Sequence, residues 1–338
     1  MISRQQETQG HCQQFLTVAI NSVKVYRVLI KLTSGLTVTQ IPILYNDAYD
    51  INVPVSHRFN GTKFSKLASQ LKQTDFHQRL YFYQSSPVRY RDVLRTHAVD
   101  YVQRVVERTL SQEEVRQINL PIDSQLVKRS FLALNGTFTT ALKALEEGVA
   151  CHTAGGTHHA HYSNGLGFCV FNDLAFTALN LIEHGLVKKV LILDLDVHQG
   201  DGTIDICDGK QGIYTCSLHC EQNFPFQKRQ GTLDVALDSH LEDTAYLNKL
   251  HSTFKEISKD FTPDIVLYDA GVDVFRGDQL GYLDLTLEGI LKRDCAVLEY
   301  FKNHNIPIAT VIGGGYSPCD TDIARRHLSI FRAATDVF

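Results

Sequence analysis

What most constrains the fold of this chain is a repeated alternation in its second half. Short apolar runs at Val190 to Leu193, Ile213 to Leu218, Ile265 to Tyr268 and Ile308 to Ile312 each give way to glycine or polar residues. Helical patterns at Thr244 to Lys259 and Thr286 to Asn303 lie between them. An unbroken apolar run is what a strand shows when both its faces are covered. Such strands separated by helices predict an α/β fold, a single domain with a mainly parallel central sheet flanked by helices. Ligands bind such sheets beyond the carboxyl ends of the strands, which is where the polar clusters of this sequence fall.

Earlier in the chain, Ile41 to Tyr45 reads as a short strand, followed by a polar loop from Asn46 to Gly61. Helical patterns follow at Lys63 to Leu71, His97 to Arg108, Leu126 to Glu147 and Asn172 to Glu183. No linker, low-complexity tract or repeat divides the sequence. With 338 residues, 43% of them hydrophobic, one domain can hide about three quarters of the surface of its unfolded chain. We read 41–338 as that domain and 1–40 as an N-terminal extension. The β-branched stretch Phe15 to Thr39 reads either as an added strand or hairpin or as an extension with little structure. Lys24, Arg27 and Lys31 interrupt it before the ~20 apolar residues of a spanning helix, so it reads as neither membrane anchor nor signal peptide.

The net charge of −4 and the scattering of Lys and Arg do not indicate direct nucleic-acid binding. Eight cysteines without a CxxC pair or a secretory leader point to reduced, buried thiols and a cytoplasmic location. Cys216 and Cys220 lack the second Cys/His pair of a zinc finger.

Chemistry concentrates in four segments. In Asp194-x-Asp196-x-His198, residues two apart share one face of a strand, so a carboxylate and an imidazole can close on one ion. Oxygen and nitrogen donors without thiolate suit catalytic zinc, and Asp273, leaving the end of another apolar run, is the candidate third ligand. Gly155-Gly156-Thr157-His158-His159 opens a glycine turn onto adjacent histidines, with Gly165, Gly167, Phe168 and Cys169 close behind. Two imidazoles can divide labour when carboxylates set their protonation differently; Asp194 and Asp201 are available. Gly313-Gly314-Gly315-Tyr316 follows a strand and can aim a hydroxyl into a cleft, as an oxyanion donor would require.

The motifs GGTHHA, GFCVFND, LDLDVHQGDGT, GVDVFRGDQLG and GGGY, in this order from about Ile41 to the C-terminus, resemble the histone deacetylase family. The stretch Pro263 to Arg293 is most similar to its class IV branch and bacterial relatives. The resemblance implies the arginase/deacetylase α/β fold and one zinc per chain, with Asp196, His198 and Asp273 as ligands. It further implies His158 and His159 as tandem catalytic histidines oriented by Asp194 and Asp201, and Tyr316 as the catalytic tyrosine. Phe168, preceded by Gly167, and Phe224 match the walls of a substrate tunnel, and Leu280 an apolar gatekeeper. Asp194, Asp196, His198, Ser217 and Leu218 match a structural potassium site.

The implied reaction is hydrolysis of an acyl amide. His159 would take a proton from water, His158 would stabilise charge or assist the leaving amine, and Tyr316 would help hold the oxyanion. Substrates implied are an acyl-lysine protein or peptide, or a small acylated amine. Gln199 stands where many members carry histidine, and the Gly-Tyr-Asp-Cys-Pro rim segment of class I members is absent. Leu280 favours acyl-lysine over acetylpolyamines, and the class IV resemblance raises long fatty acyl groups as candidates. Two rival readings are a two-manganese ureohydrolase, which GGTHHA and the lone Asp273 disfavour, and an inactive acyl-lysine binding module.

Overall fold

The computed structural model describes residues 40–338, except Val55. The expected extension, and with it the stretch Phe15 to Thr39, lies outside the described residues apart from Gln40. The described residues form a single α/β domain around an eight-stranded sheet of order β2-β1-β3-β8-β7-β4-β5-β6. The strands are β1 (Ile41–Leu44), β2 (Leu80–Tyr83), β3 (Val149–His152), β4 (Val190–Asp194), β5 (Ile213–Cys220), β6 (Leu233–Leu237), β7 (Ile265–Asp269) and β8 (Ile308–Val311). Every pairing between them is parallel.

The helices that frame the sheet are α1 (Lys63–Leu71), α2 (Val99–Glu107), α3 (Gln112–Ile118), α4 (Ser124–Glu147), α5 (Asp173–Glu183), α6 (Asp201–Cys207), α7 (Asp243–Asp260), α8 (Leu287–Asn303) and α9 (Asp320–Val337). The unbroken apolar runs have the expected cause. Val190 and Ile192 join Ala141, Ala175 and Leu181 in the core under α4 and α5. Leu191 and Leu193 join the opposite core with Leu250, Val297 and Phe331 of α7, α8 and α9. Each central strand thus buries both faces, which is why polar alternation is missing from its sequence.

The structure adds elements that the sequence pattern does not single out. β3 follows the long helix α4 after only Gly148, which caps it at φ +90°, so the strand reads as a continuation of a helical segment. β6 and β2 are edge strands with mostly half-exposed residues, and α9 supplies much of one core face.

The order β3-β8-β7-β4 is what positions the site. The four polar segments leave the carboxyl ends of these four neighbouring strands and meet above the middle of the sheet.

Candidate active site

The three expected ligands come from two adjacent strand ends. Asp194 and Asp269, the last residues of β4 and β7, are directly in register. Beyond them the chains are cross-braced: Val197 N donates to Asp273 Oδ1 (2.9 Å), His198 N to Asp196 Oδ1 (3.0 Å) and Gly314 N to Asp196 Oδ2 (2.7 Å). Arg293 of α8, fully buried, pins both loops from below by donating to Gly271 O (2.7 Å), Leu195 O (3.3 Å) and Ala270 O (3.4 Å).

One donor atom each from Asp196, His198 and Asp273 lies within 4.8 Å of the others, and all three residues are buried. His198 Nδ1 sits 3.0 Å from Asp196 Oδ1 and 3.2 Å from Asp273 Oδ2. Apart from that approach, Asp273 Oδ2 is buried without a hydrogen-bond partner among the described residues. Burial opposes charge on His198, yet its bonds to Asp196 and Asp273 push it up to about 10. The cluster draws a positive charge inward, and its oxygen and nitrogen donor set fits a divalent metal such as zinc. His158, Asp194 and Asp269 form a second compact group beside it.

The histidine pair arrives from β3 through a turn at Gly155 (φ +86°) and Gly156 (φ +75°). A Cβ on Gly156 would lie 2.4 Å from Gly313 Cα, so glycine is required by both conformation and space. Asp173, at the start of α5, holds this turn: it accepts from Thr157 N (2.7 Å), Gly156 N (3.2 Å) and the hydroxyls of Thr157 (2.5 Å) and Thr137 (2.6 Å).

The structure brings His158 Nδ1 to 2.8 Å from Asp194 Oδ2 and His159 Nδ1 to 2.6 Å from Asp201 Oδ1. The two rings are 4.1 Å apart between centroids. Their environments push them in opposite directions. For His158, burial opposes protonation but Asp194 and Asp196 overcome it and hold the ring well above its ordinary value. For His159, burial and then the charge on His158 outweigh Asp201 and push it down to about 4.

Tyr316 follows the glycine turn after β8, and its backbone N donates to Asp278 Oδ2 (2.8 Å). Asp278 also accepts from Leu280 N (3.0 Å) and pairs with Arg326 of α9 (3.1 Å), so one carboxylate fixes both the tyrosine and the Leu280 loop. A pocket of about 750 Å³ leads from the surface to His159, His198 and Tyr316. Phe168, Gly167, Phe224 and Leu280 line it, as do Arg58 and Arg116. The Phe168 ring lies 5.7 Å from Tyr316 and the Phe224 ring 5.0 Å from His159. Phe168 itself has φ +67°, a conformation supported by donation from its N–H to Ile118 O (2.8 Å).

Of the residues matched to a potassium site, Asp194 and Ser217 face each other in register across β4 and β5, with Leu218 next along the strand. Asp173, Asp278, Arg293 and Arg326 carry no chemical signal of their own in the sequence, because each takes its decisive partners from distant parts of the chain, although Asp173 and Asp278 fall inside GFCVFND and GVDVFRGDQLG and Arg293 ends the stretch that begins at Pro263. Gln199, noted as a departure, bonds Arg229 O and Asp234 (both 2.8 Å) away from the pocket.

Residues 57–333 match the family model described as histone deacetylase domain. The chain is 41% identical to an uncharacterized protein of Picosynechococcus over 88% of its own length and 99% of that protein. It is 27% identical to histone deacetylase 2 of Arabidopsis thaliana, over 85% and 77%, and 28% identical to the acetoin utilization protein AcuC of Staphylococcus aureus, over 67% and 64%. A crystal structure of an HDAC homologue complexed with SAHA has the same fold, with a TM-score of 0.72 at 24% identity, covering 88% of this chain and 84% of that one.

Proposed function

The chain belongs to the histone deacetylase family of hydrolases, and on that premise we propose that it is a zinc-dependent deacylase, with 41–338 as its catalytic domain, that removes acetyl or longer acyl groups from lysine side chains. The observation that carries this reading is the clustering of Asp196, His198 and Asp273 beside two oppositely tuned histidines, at a pocket that His159, His198 and Tyr316 line.

Asp196, His198 and Asp273 would hold the zinc. Bound there, it supplies Lewis acidity toward an acyl carbonyl and toward water. His159 is kept neutral at pH 7, and its Nδ1 donates to Asp201, which leaves the Nε2 lone pair as the proton acceptor for an attacking water. His158, held charged by Asp194, stabilises negative charge at the scissile amide. The Tyr316 hydroxyl donates to the oxyanion. As the C–N bond breaks, the amine takes up a proton, and the products are a carboxylate and a free lysine amine. Asp194, Ser217 and Leu218, with backbone groups of Asp196 and His198, would bind a structural potassium ion.

Two features favour acyl-lysine over an acetylpolyamine. Leu280 presents an apolar side chain to the pocket, and among the described residues the lining contains Arg58 and Arg116 but no carboxylate. A polycationic amine would meet no counter-charge from those residues.

Hydrolysis of a panel of acetyl-, short-chain- and fatty-acyl-lysine peptides and acetylpolyamines tests the reading. The zinc-loaded protein should release acid from at least one lysine peptide, and Tyr316→Phe should lower kcat about 10²- to 10³-fold. Tight peptide binding without release of any acid would replace the enzyme with a binding module. Undiminished turnover by Tyr316→Phe would remove the tyrosine from the mechanism.

A further inference from the structure

Asp201 is shared. Its Oδ1 accepts from His159, and its Oδ2 lies 3.1 Å from Nε2 of a third histidine, His161. The other nitrogen of that ring, Nδ1, lies 3.2 Å from Asp205 Oδ2. Asp201 and Asp205 are one turn apart on α6, so both carboxylates face the same side of the helix and enclose the ring. Asp205 in turn pairs with Arg229 (2.9 Å) toward the surface. His161 is only 8% exposed. His97 approaches from the start of α2 and donates from Nδ1 to the His161 carbonyl (2.9 Å).

A neutral imidazole has one N–H and one lone pair. Here Nε2 hydrogen-bonds Asp201 Oδ2, and Nδ1 lies at ion-pair distance from Asp205 Oδ2, which also accepts from Tyr162 N–H (3.2 Å). A lone pair turned toward either carboxylate would be repulsive, so this setting favours the imidazolium, with Nε2 donating to Asp201 and a positive Nδ1–H beside Asp205. That state places a cation against the outer oxygen of the carboxylate whose inner oxygen orients His159.

We infer that His161 is a positioning residue for His159: clamped between Asp201 and Asp205, it fixes the orientation of the Asp201 carboxylate and takes up part of its charge. Asp201 then aligns His159 through one hydrogen bond without drawing a second proton onto it, which leaves the ring free to act as a base. The surroundings agree in direction. Burial works against charge on His161, but Asp201 and Asp205 overcome it and raise the ring above its ordinary value. The role assigned to His159 rests on the deacylase reading, whereas the charge state of His161 does not.

The test uses the full zinc-loaded chain. Histidine side-chain ¹⁵N NMR at pH 7 should show both ring nitrogens of His161 protonated, and in His161→Gln the His159 ring should titrate at higher pH. The acid limb of kcat/KM should move up by about one pH unit in His161→Gln, since a charge within a few ångströms shifts a titration by that order. It should move in the same direction in Asp205→Asn and return toward the wild-type position in His161→Lys, which restores a cation. A neutral His161 ring at pH 7, or a kcat/KM that falls by one common factor at every pH in His161→Gln, would overturn the inference. Because the NMR measurement needs no turnover, a protein that hydrolysed nothing would sink the deacylase reading while the two histidine titrations still decided this one.

Discussion

Replacing Arg293 separates stability from metal binding. Its guanidinium is fully buried, bonds three loop carbonyls at 2.7 to 3.4 Å and pairs with buried Asp294 at 2.9 Å. In Arg293→Met, Asp294 keeps, among the described residues, the Tyr268 hydroxyl (2.6 Å) and the Ser329 hydroxyl (2.8 Å). A buried carboxylate stripped of its cation costs about 3–5 kcal/mol. A domain of about 300 residues unfolds with an entropy near 0.6 kcal/mol/K, so Tm should fall by about 6 °C. Adding Asp294→Asn removes the stranded charge and should recover most of that loss. It should not recover zinc affinity, because the carbonyls of Leu195 and Gly271 would still lack the clamp that holds Asp196 and Asp273 together. A drop in affinity of ~10-fold or more is expected in both variants, by analogy with outer-shell substitutions at other zinc sites. Thermal melts and competition with a chelating dye read the two quantities separately. An Arg293→Met protein melting within about 1 °C of wild type, or one binding zinc as tightly, would refute the argument.

Three further outcomes are expected. Gly156→Ala combines a left-handed backbone with a Cβ 2.4 Å from Gly313 Cα and should cost about 3 kcal/mol in urea unfolding; Gly185→Ala has similar backbone strain (φ +64°) but open space and should cost only about 1 kcal/mol, so equal losses would discredit the packing argument. Burial pushes His152 down to about 3, and His97 down to about 4. Both folded values lie below that of an unfolded histidine, about 6.5, so the unfolded chain takes up these protons first. Their contribution is complete above that value and is lost as pH falls toward 4 and then 3, at up to about 1.4 kcal/mol per pH unit for each ring. Melts between pH 6.5 and 4.5 should show Tm falling with pH, and a flat profile would contradict this. Leu280→Glu places a carboxylate in a pocket lining that has none among the described residues and should raise the kcat/KM of acetylpolyamines relative to lysine peptides about fivefold, the effect of ~1 kcal/mol; an unchanged ratio would take Leu280 out of the selectivity argument.

Much of the architecture is legible from local pattern alone. Val190 to Leu193 and Ile265 to Tyr268 lack polar alternation because each strand is buried on both faces, and this property of neighbouring residues needs no knowledge of distant ones. The edge strands β2 and β6 lack that signature because half-exposed residues tolerate any mixture of side chains. β3 hides behind a single glycine after a long helix.

The same division runs through the site. Sequence by itself determined the kinds of donor present and their strand-end positions, because Asp196 and His198 lie two residues apart and Asp273 follows an apolar run. Only the tertiary structure decided which groups meet. The neighbour order β3-β8-β7-β4 brings Asp194 to His158 and Asp201 to His159 across 36 and 42 residues. It also gives Asp201 a second imidazole, in His161. A carboxylate's partner depends on which strands lie side by side, and that is fixed by the packing of the whole core rather than by any local stretch of chain.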